Sequence, residues 1–332
     1  MRDIYILAIE SSCDETSIAI VKNGVEVVAQ VTNTQIKAFE DLGGVVPEMA
    51  SRMHADNIFY VYEQVLQEAK ISIEQIDALA VTQGPGLIGS LIVGVNFVKT
   101  LCLIHKKPLI AVNHMKAHIY AIKLEEKIKF PHLSLIISGG HTELIYLTKN
   151  LEFKKIGQTL DDAVGESYDK VARLLKLSYP GGPIIDNLAK LGEDTYQLPV
   201  PKDDKTLDFS FSGLKSACFN TINTNKMKGI MINQENFSTS FQNIIVKILL
   251  KKFDLACQKY PAQQYSIVGG VSANSQIREE FNKKYPNLII PSLKYTTDNG
   301  AMIGAIAYEQ YLQNDFVQDI INFDANPALE ID

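Results

Sequence analysis

A duplicated, two-lobe α/β fold with a cleft between its lobes is what the sequence predicts, and three observations predict it. The chain has 332 residues, too many for one small core and suited to two comparable ones. Three β-rich segments joined by short turns occur at the start and again from His132. Each set leads into helical sequence and then into apolar strand-like segments alternating with helices, the order that builds α/β layers.

In chain order, "IYILAIE", "TSIAIVK" and "VEVVAQVT" read as a β-meander, broken by "SSCDE" and by "NG", a strong hairpin turn. "SRMHADNIFYVYEQVLQEAK" has the spacing of an amphipathic helix, and "DALAVTQ" and "PLIAVNH" read as strands. Between them, "LIGSLIVGVNFVKTLCLI" approaches membrane-spanning length but carries Asn96, Lys99 and two glycines, which predicts a buried helix. From His132, "HLSLIIS", "TELIYLT" and "EFKKIGQTL" repeat the meander. "AVGESYDKVARLL" is helical, "QYSIVGG" and "NLIIPS" are strands, and "AMIGAIA" opens a last helix of small residues. The expected division is a first α/β lobe over 1–130, a second over 131–315 whose last helix packs back toward the first, and an acidic tail over 316–332 that frays.

Composition narrows the class. With 46% hydrophobic and 21% charged residues and no low-complexity tract, the chain is expected to be globular up to that tail. The apolar run in "MRDIYILAIESS" ends at Glu10, too short for a secretory signal. Cys13, Cys102, Cys218 and Cys257 show no C-x-x-C spacing, so neither a thiolate zinc site nor a disulfide framework is indicated and a reducing, cytoplasmic setting is expected. A net charge of −6 gives no global attraction to nucleic acid, so a polyanionic partner needs a local basic patch or help from another protein.

Chemistry gathers in a few places. In "VNHMKAHIYA", His114 and His118 stand four residues apart at a helix start, so both imidazoles can reach one point, a geometry that suits a metal as well as an ordinary surface pair. Asp298, at a loop-to-helix junction, could supply a third ligand. Glycine-containing segments "TQGPGLIGS", "ISGGHTE", "YPGGPIID" and "VGGVSANSQ" fall where strands end, where backbone N–H groups can approach anions. A nucleotide is the natural occupant, with Asn274 meeting a ribose or phosphate edge and Gly182 giving close approach to the sugar or base. Asp14 and Glu15 sit in the first turn. Asp161 or Asp162 is expected to cap the helix through "AVGESYDKVARLL", with Glu166 and Asp169 on its polar side. Facing phosphate-binding turns on duplicated lobes are the arrangement of the actin, Hsp70 and sugar-kinase superfamily, a fold-level analogy.

Taken together, "IESSCDETSIAIV", "GGVVPEMASRMH", "TQGPGLIGSL", "NHMKAHIYA", "SGGHTEL", "DDAVGESYDKVARLL", "YPGGP", "FSFSGLKSA", "GGVSAN" and "TTDNGAMIG" resemble the bacterial TsaD-type tRNA threonylcarbamoyladenosine transferases over nearly the whole chain. The resemblance implies that His114, His118 and Asp298 hold one divalent ion, iron or zinc. It also implies that Ile136, Ile137, Ser138, Gly139, Gly140, Asp169, Gly182, Asp186 and Asn274 bind the adenylate substrate or a nucleotide. The implied reaction moves a threonylcarbamoyl group from threonylcarbamoyl-AMP to the adenosine beside the anticodon in tRNA. Asp14 and Glu15 would orient the acceptor or act on a phosphate. Implied partners are tRNA, a shortened paralogue of TsaB type and a small ATPase of TsaE type, with ATP or ADP in the assembled complex, a homodimer when the paralogue is absent, and no membrane. Rival readings are a metallopeptidase, a non-catalytic scaffold of the same fold and a sugar or acid kinase. The peptidase needs H-E-x-x-H, whereas Met115 stands where its glutamate should be. The scaffold has no reason to keep the histidines, Asp298 and every glycine loop, and the kinase has no use for the two histidines.

Overall fold

The two meanders form as the alternation predicts, and each becomes half of a five-stranded sheet. In the computed structural model, which describes residues 2–200 and 205–331, β1 (Tyr5–Glu10), β2 (Glu15–Lys22) and β3 (Glu26–Thr34) are antiparallel. Asn23 and Gly24, the first two of the three residues between β2 and β3, take positive φ values of 53° and 69°, a left-handed pair that suits a tight turn between twisted strands. After α1 (Ile36–Phe39) and α2 (Pro47–Ala69), β4 (Ala78–Gly84) joins β1 in parallel; α3 (Ile88–His105) and β5 (Leu109–Asn113) follow, giving the order β3-β2-β1-β4-β5. The short α4 (His114–Tyr120) leads to the second unit.

That unit repeats the plan. β6 (His132–Ile137), β7 (Thr142–Lys149) and β8 (Glu152–Gln158) form the meander. Helices α5 (Val164–Leu174), α6 (Gly181–Ala189), α7 (Ser212–Met227) and α8 (Gln234–Lys259) intervene before β9 (Gln264–Val268), then α9 (Ser275–Lys284) and β10 (Leu288–Ile289), in the order β10-β9-β6-β7-β8. β1 and β6 thus occupy equivalent central places, and the loops after both open toward the same cleft.

The last helix, α10 (Gly300–Leu312), packs on β1 and β2. Its residues from Gly300 to Ala307 are all buried, which requires small side chains on the face toward the sheet. A Cβ on Gly304 would lie 2.5 Å from Val21 Cγ2 and 2.8 Å from Val21 Cβ. Gly304→Leu is therefore expected to push α10 off the sheet at a cost of about 3 kcal/mol or more, read as a lower urea midpoint; an unchanged midpoint would show that α10 is not seated this closely.

Two expectations are corrected here. The 316–332 segment, of which Asp332 lies outside the described residues, is docked rather than frayed. Val317 N donates to Leu109 O at 2.9 Å, Asn326 N to Gln83 O at 2.8 Å and Lys99 Nζ to Phe323 O at 2.6 Å. Phe323 and Ile331 are buried. Their apolar contribution is spaced irregularly among acids, so no periodicity announces it. Helix α3 is likewise not fully buried: Leu91, Val95, Val98 and Cys102 face the core, while Ile88, Ile92, Leu103 and Ile104 are exposed. Long and apolar enough to cross a membrane, it packs here against α2 and β4.

Candidate functional site in the interlobe cleft

Asn113 ends β5 and caps α4, its Oδ1 accepting from Met115 N at 2.9 Å and Lys116 N at 3.1 Å, as asparagine does at a helix start. This cap places His114 in the first turn and His118 one turn on, their ring centroids 4.6 Å apart. Asp298 arrives from the other end of the chain, just ahead of Asn299, whose side chain caps α10 through Met302 N at 2.9 Å. Asp298 Oδ1 is 3.5 Å from His114 Nε2 and 3.2 Å from His118 Nε2. The three residues can each offer a ligand atom within 4.8 Å of the others.

Two features show that this group suits a cation. His118 is fully buried, yet neither ring nitrogen has a hydrogen-bond partner among the described residues, its approach to Asp298 being misdirected for one. A buried polar atom without a partner is costly, and a metal bond satisfies it. The second feature is Glu10, the last residue of β1 and completely buried. Its Oε2 lies 2.9 Å from His114 Nδ1 and accepts from Thr82 Oγ1 at 2.6 Å, while Oε1 accepts from Ser12 N. A carboxylate on Nδ1 leaves Nε2 turned toward Asp298, the usual support of a ligating histidine. The charges agree. Burial pulls His114 down, but the Glu10 and Asp298 carboxylates outweigh it and raise the imidazole to about 9. Burial opposes ionisation of Asp298, yet the histidines hold it at about 2. Burial keeps His118 below its ordinary value. The fully buried Glu10 carboxylate and the partly buried Asp298 beside it call for positive charge at this point, from a proton or a metal.

Asp14 and Glu15 line the cleft beside this group. Burial pushes both carboxyls up, and the Asp298 and Asp14 charges carry Glu15 well above the usual carboxylate range.

From there a cavity of about 530 Å³ runs toward the second sheet. Ser138, Gly139 and Gly140 follow β6, Gly182 is the second residue of α6, and Gly270 to Asn274 follow β9; Ser138, Gly139, Gly140, Asp169, Gly182, Asp186 and Asn274 all line the cavity. A Cβ added at Gly139, Gly140, Gly182 or Gly270 would meet no atom within 4 Å, so these glycines leave room in the cleft rather than for protein packing. Gly84 and Gly86 differ: a Cβ there would collide with Asn326 O and Ser12 O, so this loop seats the tail and the 11–15 turn. Ile136 and Ile137 point into the apolar cores and do not line the cavity; their strand aims the Ser138 loop. Asp169, its carboxyl raised by burial, accepts from Gly181 N at 2.7 Å and so holds the start of α6. Asn274 spends Oδ1 on Ile277 N, capping α9.

The capping expected of Asp161 or Asp162 is not found at α5, whose N-cap is Ala163 with no side-chain cap bond. Asp161 instead serves the start of α7, accepting from Phe211 N at 2.7 Å and Ser212 N at 3.2 Å. Asp162 pairs with Lys170 and Lys215, and Glu166 with Lys170. Sequence reasoning missed Glu10 and also His141, which lines the cavity; the "GGH" turn was the one available signal, for His141.

Residues 26–305 match the profile of a family described as tRNA N6-adenosine threonylcarbamoyltransferase. A Staphylococcus aureus (strain Newman) protein of that name is 48% identical over 99% of this chain and 98% of its own. Among solved structures, component A of the Acidaminococcus fermentans (R)-2-hydroxyglutaryl-CoA dehydratase superposes with a TM-score of 0.56 at 15% identity, covering 93% of this chain and 99% of its own. HypF from T. kodakarensis does so with a TM-score of 0.64 at 11% identity, covering 94% and 48%. At such identities these two speak to the fold alone, the α/β fold of the actin and Hsp70 group. On the matched profile and the near-complete 48% identity, the chain belongs to the tRNA N6-adenosine threonylcarbamoyltransferase family.

Proposed function

We propose that this chain transfers the threonylcarbamoyl group from threonylcarbamoyl-AMP to the exocyclic amine of the adenosine 3′ to the anticodon, in tRNAs that read codons beginning with A. The observation that supports it most is a His-His-Asp group placed at one end of a glycine-walled cavity of nucleotide size, in a member of this family. The amine nitrogen attacks the carbamoyl carbon, the carbon–oxygen bond to phosphate breaks, AMP leaves with the electron pair of that bond, and the nitrogen gives up one of its two protons to solvent. The amine is a weak nucleophile because its lone pair is shared with the ring, so positioning carries much of the work. His114, His118 and Asp298 would hold an iron or zinc ion, which supplies Lewis-acid polarisation when bound and, with three protein ligands, keeps a position open. The Ser138–Gly140, Gly182 and Gly270–Asn274 loops take the adenylate, and Asp169 holds α6 against it. Asp14 and Glu15, between the two ends, face the space where the acceptor enters.

Tests follow for each part. The chain, combined with a shortened paralogue, a small ATPase, an adenylate-forming enzyme, ATP, threonine and bicarbonate, should convert unmodified tRNA to a nucleoside heavier by one threonylcarbamoyl unit. Cleavage of a glycoprotein with unaltered tRNA would favour a peptidase, and no activity a scaffold. ADP should raise the thermal midpoint by mass action. Gly182→Phe, at a position with open space, should keep the fold and lose that rise; a retained rise would place the nucleotide elsewhere. The exposed Phe59 and Tyr60 on α2 and Ile88 and Ile92 on α3 support a paralogue docking on this face in the cytoplasm, with a homodimer as substitute. A strict monomer in sedimentation that gains nothing from the paralogue would oppose it.

A further inference from the structure

Gln242 lies on α8 among Phe237, Phe241 and Ile245, and is 1% exposed. An amide in such a place is tolerated only when its hydrogen bonds are made, and here all four are. Nε2 donates to Asp186 Oδ1 at 3.1 Å and to Gln276 Oε1 at 3.0 Å. Oε1 accepts from Asn274 Nδ2 at 2.7 Å and from the Tyr168 hydroxyl at 3.3 Å. The amide's direction is not ambiguous, since a carboxylate can only accept. Gln242 does not line the cavity, but Tyr168, Asp186 and Asn274, on three different elements, all do. Ser275 also ties Asp186, through its N–H at 3.1 Å and its hydroxyl at 2.9 Å, but no bond of Ser275 reaches Tyr168 or the Asn274 side chain in this cluster.

We infer that Gln242 is a positioning residue for nucleotide recognition: its saturated amide sets the rotations of Asp186 and Asn274 so that the α6 and β9–α9 loops present one matched surface to the ligand. The inference rests on the nucleotide reading of the cavity given above. Gln242→Met retains length and removes all four bonds, so that Asp186 is held from the Ser275 and Lys190 side alone and Asn274 only by Ile277 N and the 3.3 Å bond to the Tyr168 hydroxyl, a looser hold on both. Gln242→Glu retains an acceptor for Asn274 and Tyr168 but sets a carboxylate against Asp186, with Lys190 on the far side of Asp186 at 3.3 Å and the neutral Gln276 alongside. One of two facing carboxyls then takes up a proton as the pH falls, and a proton between them restores the donor.

The experiment is calorimetric titration of the full chain with ADP, together with steady-state kinetics of tRNA modification in the reconstituted system. For Gln242→Met, the ADP dissociation constant and the KM for the adenylate should rise about tenfold, the loss of roughly 1.4 kcal/mol expected of unmade buried hydrogen bonds, with kcat nearly unchanged. A purely structural role would lower the melting temperature without that split. For Gln242→Glu, ADP binding should be weak at pH 8 and recover toward pH 6, whereas the wild type shows no such recovery. If the wild type binds ADP and both variants bind it equally well at every pH, the inference falls while the nucleotide reading stands. If the wild type itself binds no ADP, both fall.

Discussion

His118→Ala should yield a folded protein that retains no metal and modifies tRNA at least ~10³-fold more slowly, because polarisation of the carbonyl is asked to supply several kcal/mol and each ~1.4 kcal/mol lost is tenfold in rate. His118 has no hydrogen bond to lose, since both ring nitrogens lack partners among the described residues. Its removal therefore breaks no hydrogen bond, and takes from Asp298 only the 3.2 Å approach of Nε2. Elemental analysis of the purified variant, next to nucleoside analysis of its tRNA product, reads both effects. Full metal content with full activity would remove His118 from the site. Loss of activity with retained metal would point to a role in the reaction other than ligation.

Glu10→Ala should do nearly as much from one shell further out. Its carboxylate serves His114 Nδ1, Thr82 Oγ1 and Ser12 N in a place without solvent. Truncation leaves those groups unpaired, at a cost of about 3 kcal/mol in stability. It also frees the His114 ring, and loss of such a support lowers metal affinity about 10- to 100-fold. Glu10→Gln separates the two effects: the amide keeps the volume and some of the bonds, so the stability should mostly return while metal affinity stays low. Chelator competition measures the affinity and urea unfolding the stability. Wild-type metal affinity in Glu10→Ala would show that His114 is oriented by the cap at Asn113 alone.

What the sequence determined by itself is local. The alternation in "IYILAIE" and "HLSLIIS", the Asn-Gly turn and the small residues of "AMIGAIA" each state a backbone conformation within a few residues, because φ/ψ preference and side-chain period act at that range. The pair of histidines was legible for the same reason: an i, i+4 spacing becomes a shared face as soon as a helix forms. The glycines at strand ends were legible too, although their sequence did not separate Gly139, Gly140 and Gly182, which stand open to the cleft, from Gly84 and Gly86, which the tail and Ser12 cover. Only the tertiary structure decided which polar groups meet across distance. Glu10 reaches His114 from 104 positions away, Asp161 caps a helix that begins 51 residues later, and the acidic tail docks on groups far from it in sequence, through backbone bonds to Leu109 and Gln83 and through the side chains of Lys99 and Asn113. A buried carboxylate or amide takes whichever donor the packed chain brings within about 3 Å, and that choice is set by the arrangement of the two sheets around the cleft, which no short stretch of sequence contains.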